Sequence, residues 1–386
     1  MTTVRVTRKG ADRIRSGHLW IFASDLEDTG TAQPGEAVEV QGPQGRSLGV
    51  AHYSAASQIS LRLLAREVRP VDREFLRARL MAALELRRRV VADSEACRLV
   101  YGEGDLLPAL IVDRYADYLV IQLLSQGMDR LQADIVAILK ELLAPSGILE
   151  RNDAPVRHKE QLPSRVGVLE GEVPDRVWFT LNGLRFQADL RRGQKTGAFL
   201  DQRENYRAAA AYACGRALDC FTSTGGFALH MAARCHSVEA VDSSALALEL
   251  AEAAARANDL CNIGFRQADV FDLLAGYDAA RRRFSIVVLD PPAFARSRSG
   301  LEGAARGYKE INLRALKLLE PGGVLVTCSC SQHLSEAMFL EILAAAALDA
   351  GRMVRVLERR TQARDHPILL TVPETHYLKC LILQAL

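Results

Sequence analysis

Two short runs carry groups able to do covalent chemistry. Asp290-Pro291-Pro292-Ala293-Phe294 follows the apolar run Phe284–Leu289. A strand there delivers the Asp290 carboxylate to its carboxyl end, and two prolines then fix φ and remove two N–H donors, so the turn is stiff. A stiff turn holds a carboxyl group against a planar base. The second run, Val324-Leu325-Val326-Thr327-Cys328-Ser329-Cys330-Ser331, ends another apolar strand with two thiols. Carbon-5 of cytosine is a weak nucleophile, and addition of a thiolate at carbon-6 turns it into an enamine-like one. Asp290, protonated or sharing a proton, favours that addition by bonding to N3. Cys328 and Cys330 share a parity, so a regular strand points both to one face, whereas a break separates their fates. Asp-Pro-Pro followed by an aromatic suits chemistry on an exocyclic amine equally well, and both cysteines also read as buried strand residues.

A third run prepares a cofactor site. Leu218-Asp219-Cys220-Phe221-Thr222-Ser223-Thr224-Gly225-Gly226-Phe227 ends a strand and opens a helix. Gly225 and Gly226 let a ligand approach the backbone closely. The loop lacks Gly-x-Gly-x-x-Gly, which disfavours a pyrophosphate cofactor. Asp242, followed by Ser243, ends the next apolar strand and can accept ribose hydroxyls. Asp269, followed by Val270, comes at a third strand end and can pair with an adenine amino group. Three acids in this order suit a cationic, phosphate-free nucleoside, S-adenosylmethionine. Each Asp alone reads as a helix N-cap. Phe221, Thr224 and Pro291 complete the expected cofactor wall.

These groups need a scaffold that brings strand ends together. From residue 176 strands alternate with helices, which implies a parallel sheet with helices on both faces. A hairpin turns at Asn182-Gly183. Strands are expected at 216–221, 238–242, 264–269, 286–290, 324–328, 354–357 and 377–383, with helices near 225–235, 244–258 and 308–319. Seven strands in this order fit an α/β, class I (Rossmann-like) methyltransferase domain over 176–386. Residues 1–68 read as a small β-rich domain with a turn at Gly42-Pro43-Gln44-Gly45. Residues 69–175 read as a mixed α+β middle domain, with helices at 73–91 and 128–143 and two strands around Ala116-Asp117.

Composition constrains partners only loosely. The 386 residues hold 49 Lys plus Arg against 47 Asp plus Glu, a net charge of +2, which excludes a histone-like polycation. Eight cysteines lack Cys-x-x-Cys or zinc spacing, so no metal is expected and reduced thiols in the cytoplasm are. The chain shows neither a membrane-spanning apolar run nor a secretory start. From Arg5 to Arg15 five basic residues face one acid, Asp12, and Arg13, Arg15, His18 and Trp20 could grip phosphates and stack on bases. Arg296 and Arg298, in a basic glycine-containing loop, could close on RNA. Both segments also read as solvated surface.

Arg13 to Phe22, Gln194-Lys195-Thr196-Gly197-Ala198-Phe199-Leu200-Asp201-Gln202-Arg203, Phe221 to Phe227, Asp290-Pro291-Pro292 and Thr327 to Ser331 together resemble the family of 23S rRNA cytosine-carbon-5 methyltransferases with an N-terminal PUA domain. The resemblance covers nearly the whole chain. It implies an RNA-binding first domain, S-adenosylmethionine as cofactor, 23S rRNA as partner and Cys330 as nucleophile, with Cys328 matching a related cytosine methyltransferase pattern. It also implies that Lys195, Thr196, Phe199, Asp201 and Arg203 line the cofactor site. Thr222-Ser223-Thr224 departs from the family, where an aromatic often precedes Thr-Gly-Gly. Two other readings stay open: methylation of a ring or exocyclic nitrogen, and a non-catalytic RNA-binding or ribosome-assembly module. A homodimer is carried as an option. His366 and His376 are candidates for the proton-abstracting base, which is left unassigned.

Overall fold

The computed structural model describes residues 1–295 and 300–386. It divides into two compact units, one of Met1–Val177, Asp189–Arg192 and Arg364–Thr375, the other of Trp178–Ala188, Gly193–Ala363 and His376–Leu386. Residues 1–68 and 69–175 therefore share a unit, and 364–375 returns to it. No helix among the described residues is long and apolar enough to cross a membrane.

The first unit holds two sheets. In the six-stranded one the order is Trp20–Phe22, Ile59–Ala65, Ser47–Tyr53, Ala37–Gln41, Thr3–Val6 and Leu26–Asp28. Thr7 caps the helix Arg8–Arg15, its Oγ1 accepting from the Gly10 N–H at 3.2 Å. The five-stranded sheet runs from Ala96–Tyr101 to Arg165–Gly171 and packs on the helices Arg73–Val90 and Gln132–Leu143. The expected helix over 128–143 is two helices, Gln126–Arg130 and Gln132–Leu143, because Leu131 leaves helical geometry at ψ 7°. Asp365 anchors the returning segment: its Oδ2 accepts from the Arg98 N–H at 3.0 Å and its carbonyl from Arg87 at 2.7 Å.

The second unit is built on a seven-stranded sheet. Its strands are β1 (Arg216–Cys220), β2 (Ser237–Asp242), β3 (Ile263–Gln267), β4 (Phe284–Leu289), β5 (Leu319–Ser329), β6 (Val354–Arg360) and β7 (Lys379–Ala385). The spatial order is β3-β2-β1-β4-β5-β7-β6, all neighbours parallel except those of β7, which is antiparallel to both β5 and β6. The helices are α1 (Arg203–Tyr212), α2 (Gly226–Ala232), α3 (Ala245–Ala257), α4 (Val270–Ala279), α5 (Leu301–Leu318) and α6 (Glu336–Asp349). Helix α5 starts seven residues before the expected 308. The sheet interior is Val, Ile and Leu from both faces, as parallel strands covered on both sides require. Strand order reverses between β1 and β4, so the crevice outside their carboxyl ends is where a ligand site belongs.

Candidate active site

That crevice is a cavity of about 320 Å³. Its wall includes Lys195, Phe199, Asp201 and Gln202 from the segment before α1, Phe221 and Ser223 from the loop after β1, and Asp242 and Ser243 after β2. Asp269 and Phe271 at the start of α4, Asp290, Pro291 and Phe294 after β4, and Cys330 after β5 complete the ring of sequence-expected and new groups. The site is acceptor-rich, and the ammonium of Lys195 is already paired with Asp201 at 2.5 Å and lies over the Phe199 ring at 4.5 Å.

The loop after β1 is held open by unusual backbone. Phe221 and Ser223 both have positive φ, 63° and 49°, and Gly225 follows at 85°. Asp242 fastens it: Oδ2 accepts from the Ser223 N–H at 2.8 Å and Oδ1 from Ser244 at 2.9 Å. Asp269 bonds the N–H groups of Phe271 and Asp272 through Oδ1, so this residue is a helix cap that also lines the cavity. Phe271 is an exposed aromatic face at 37% accessibility, directly beside these acids. An apolar ring flanked by carboxylates fits a cationic nucleoside and opposes a phosphate.

Other expected cofactor residues lie elsewhere. Asp219 is fully buried beneath the loop and absent from the lining, because its Oδ2 is spent on Thr222 Oγ1 at 2.5 Å and the Ala228 N–H at 2.9 Å. Burial pushes its carboxyl up to about 7. Thr224, Gly225, Gly226 and Val270 are also outside the lining. Gly226 serves protein packing rather than ligand approach, since a Cβ there would sit 2.3 Å from the Tyr206 ring. Thr196 and Arg203 are buried beside the wall, not on it.

The two cysteines have separated. β5 ends at Ser329, so Cys328 stays inside the sheet, fully buried opposite Cys380, while Cys330 lies past the strand end on the cavity wall. Cys330 Sγ lies 3.9 Å from the Pro291 carbonyl, next to Asp290. Burial first, then the Asp290 charge, push this thiol up to about 11, while Lys195 and Lys379 oppose the shift. Burial, then the charge of Asp201, push Asp290 up to about 7, opposed by the Gln202 amide, Lys195 and the Cys328 thiol. The carboxyl is thus able to hold a proton near neutral pH.

Several groups carried no signal in the sequence. Lys379 Nζ donates to the Ser331 and Tyr377 carbonyls, both at 2.7 Å, and burial lowers it to about 8. Buried Tyr308 on α5 bonds Ser329 and Ser331, each at 3.0 Å, which flank Cys330, and Ser331 Oγ accepts from the Ala295 N–H at 3.2 Å. Gln202 lies within the Gln194–Arg203 run, yet its contact with Asp290 spans 88 residues.

The remaining candidates do not line this cavity or lie outside the described residues. The indole N–H of Trp20 donates to Glu103 at 2.8 Å. His18 accepts from the Trp20 N–H through Nδ1, so Nε2 carries the proton toward Glu374 at 3.1 Å. Arg13 lies over Phe22 and pairs with buried Asp25, and Arg15 pairs with Asp12. His366 is buried against Asp365 and Tyr101, and His376 is exposed; neither lines the cavity. Arg296 and Arg298 fall outside the described residues.

Comparison with known proteins agrees with this layout. Residues 4–66 match the PUA-like domain family, and residues 97–381 match the S-adenosylmethionine-dependent methyltransferase family. "Ribosomal RNA large subunit methyltransferase I" of Tolumonas auensis is 41% identical over 395 residues, covering 100% of both chains. The protein of that name from Aeromonas salmonicida is 42% identical over 377 residues, covering 95% of each. The protein SMU.776, solved in complex with SAH, shares the fold at a TM-score of 0.87 and 19% identity, with 100% of both chains covered.

Proposed function

We propose, from a chain that belongs to the S-adenosylmethionine-dependent methyltransferase family, that this protein methylates carbon-5 of a cytosine in large-subunit ribosomal RNA through a cysteine adduct. The observation that carries the reading is the presence of Cys330 and Asp290 on one cavity wall, at neighbouring strand ends. The names of the full-length relatives support ribosomal RNA as the substrate. Eight free cysteines, together with that substrate, favour the cytoplasm.

Asp242, Asp269 and Phe271 would hold the nucleoside part of the cofactor, which supplies an electrophilic methyl group on a sulfonium. Asp290, protonated, donates to N3 of the target base. As the Cys330 thiolate adds to carbon-6, that proton follows the electron pair onto N3, and carbon-5 becomes the nucleophile. Removal of the carbon-5 proton then lets the sulfur leave, and N3 returns its proton to the Asp290 carboxylate, which restores the ring. Burial is the main cause that holds the Cys330 proton; protonation of Asp290 removes the next largest, leaving the Asp201 charge to oppose the ammonium groups of Lys195 and Lys379, which favour the thiolate.

Purified protein incubated with unmodified large-subunit rRNA and S-adenosylmethionine, followed by nucleoside chromatography and mass spectrometry, tests this. The expected product is 5-methylcytidine, absent with Cys330→Ala and retained with Cys328→Ala. A product methylated on nitrogen, or full yield from Cys330→Ala, overturns the reading.

A further inference from the structure

We infer that Gln202, Asn205 and Arg360 form a one-way hydrogen-bond chain that fixes which oxygen of Asp290 carries the proton, and thereby makes the site accept cytosine and reject uracil. The inference deepens the proposed base recognition by Asp290 and rests on it.

The direction of the chain follows from donor chemistry. Arg360 Nε donates to Asn205 Oδ1 at 2.9 Å, and a guanidinium has no acceptor, so this end of Asn205 must be its oxygen. Glu358 holds Arg360 in place at 2.7 Å, and Tyr212 in turn donates to Glu358 at 2.8 Å. The other end of Asn205 is then its NH2, which donates to the Thr361 carbonyl at 3.1 Å and to Gln202 Oε1 at 2.6 Å. With Oε1 thus committed, Gln202 turns its Nε2 to Asp290 Oδ1 at 3.0 Å. Gln202 and Asn205 are 2% and 1% exposed, so water cannot take over a broken link. Reversing either amide sets acceptor against acceptor or donor against donor at each joint.

An N–H aimed at Oδ1 makes that oxygen the wrong place for a proton. The proton therefore belongs on Oδ2; the Cys328 thiol is a second donor to this carboxyl, and Asp290 lines the cavity that a base would enter. Cytosine N3 is a lone-pair acceptor and pairs with Oδ2–H. Uracil N3 carries a hydrogen, so the same geometry opposes two donors in a buried site, and an ionised carboxyl would be needed instead. Among the described residues, Asp201, Asp219, Lys195, Tyr206, Cys328 and Cys330 are the other ionisable groups that act on Asp290 or feel its charge, and burial with the Asp201 charge favours the protonated form.

Asn205→Asp tests the chain at a residue that is not itself on the cavity wall and reaches Asp290 only through Gln202. The new carboxylate still accepts from Arg360 but cannot donate to Gln202. Gln202 then turns its NH2 toward that carboxylate and presents Oε1 to Asp290, drawing the proton onto Oδ1. The probes are an unmodified rRNA transcript and a copy with uracil at the methylated position, with S-adenosylmethionine affinity by calorimetry as the control for folding. The expected result is a fall in kcat/KM on the cytosine transcript of roughly tenfold to a hundredfold. The ratio of cytosine to uracil kcat/KM narrows with it, and cofactor affinity is unchanged. A residue that merely supports the fold would lower both substrates together, and an unchanged ratio overturns the inference. If Asn205→Asp fails to bind cofactor, Gln202→Met decides on the same ratio. Asp290→Ala is run in parallel. Full cytosine methylation by that variant sinks base recognition by Asp290 itself, whereas a dead Asp290→Ala beside an unchanged ratio in the chain variants sinks only the chain.

Discussion

A carboxyl group that keeps its proton inside a fold leaves a thermodynamic mark. Asp290 titrates near 7 rather than at its ordinary 3.8, chiefly through burial. The folded state therefore binds this proton more tightly than the unfolded chain. Its contribution is fully present below about pH 4 and is lost as pH rises to about 7. Asp290→Asn removes that loss, so it should raise Tm more at pH 8 than at pH 5.5; equal gains at both would show that Asp290 is not protonated in the fold. Asp290 and Cys330 were legible because strand-end motifs announce them. Gln202, Tyr308 and Lys379 were not, since each acts through partners dozens of residues away. Asp219 and Val270 lie on the other side of that limit: residues of suitable type beside the loop, but buried by hydrogen bonding and packing.

At the level of elements, strand alternation located the sheet, and the end of β5 decided the roles of the two thiols. Parity alone assigned Cys328 and Cys330 to one face, a rule that holds only while the strand is regular. What holds the irregular turn is helix α5, whose Tyr308 hydroxyl bridges Ser329 and Ser331. Tyr308→Phe leaves two buried serine hydroxyls without that partner and should cost about 1–3 kcal/mol in urea unfolding. It should lower kcat while leaving calorimetric affinity for S-adenosylmethionine unchanged; an unaltered kcat would mean that the bridge does not position Cys330. The early start of α5 escaped the sequence reading because Leu301–Gly307 is rich in small residues that also suit a loop.

Across the whole molecule, the division into units follows long-range pairing more than composition. Nothing in 364–375 marks its return to the first unit, yet Asp365 meets Arg98 from 267 residues away. Arg87 is the hub there, 3% exposed and bonded to Asp105, to the Arg98 carbonyl and to the Asp365 carbonyl. Arg87→Met strands the buried Asp105 carboxylate and should destabilise the first unit by roughly 3–5 kcal/mol. Urea unfolding followed in parallel with cofactor binding checks this: the loss should fall on the first unit's transition, and an unshifted transition would contradict it.

The central claim, a covalent bond between Cys330 and carbon-6 of a cytosine beside Asp290, is tested most directly by trapping. An rRNA transcript carrying 5-fluorocytidine has no removable carbon-5 proton, so the adduct cannot resolve after methylation. Digestion and tandem mass spectrometry should then find the nucleotide on Cys330, with no adduct from Cys330→Ala and normal trapping by Cys328→Ala. An adduct on another residue, or turnover of ordinary transcript to 5-methylcytidine by Cys330→Ala at the wild-type rate, would contradict the account.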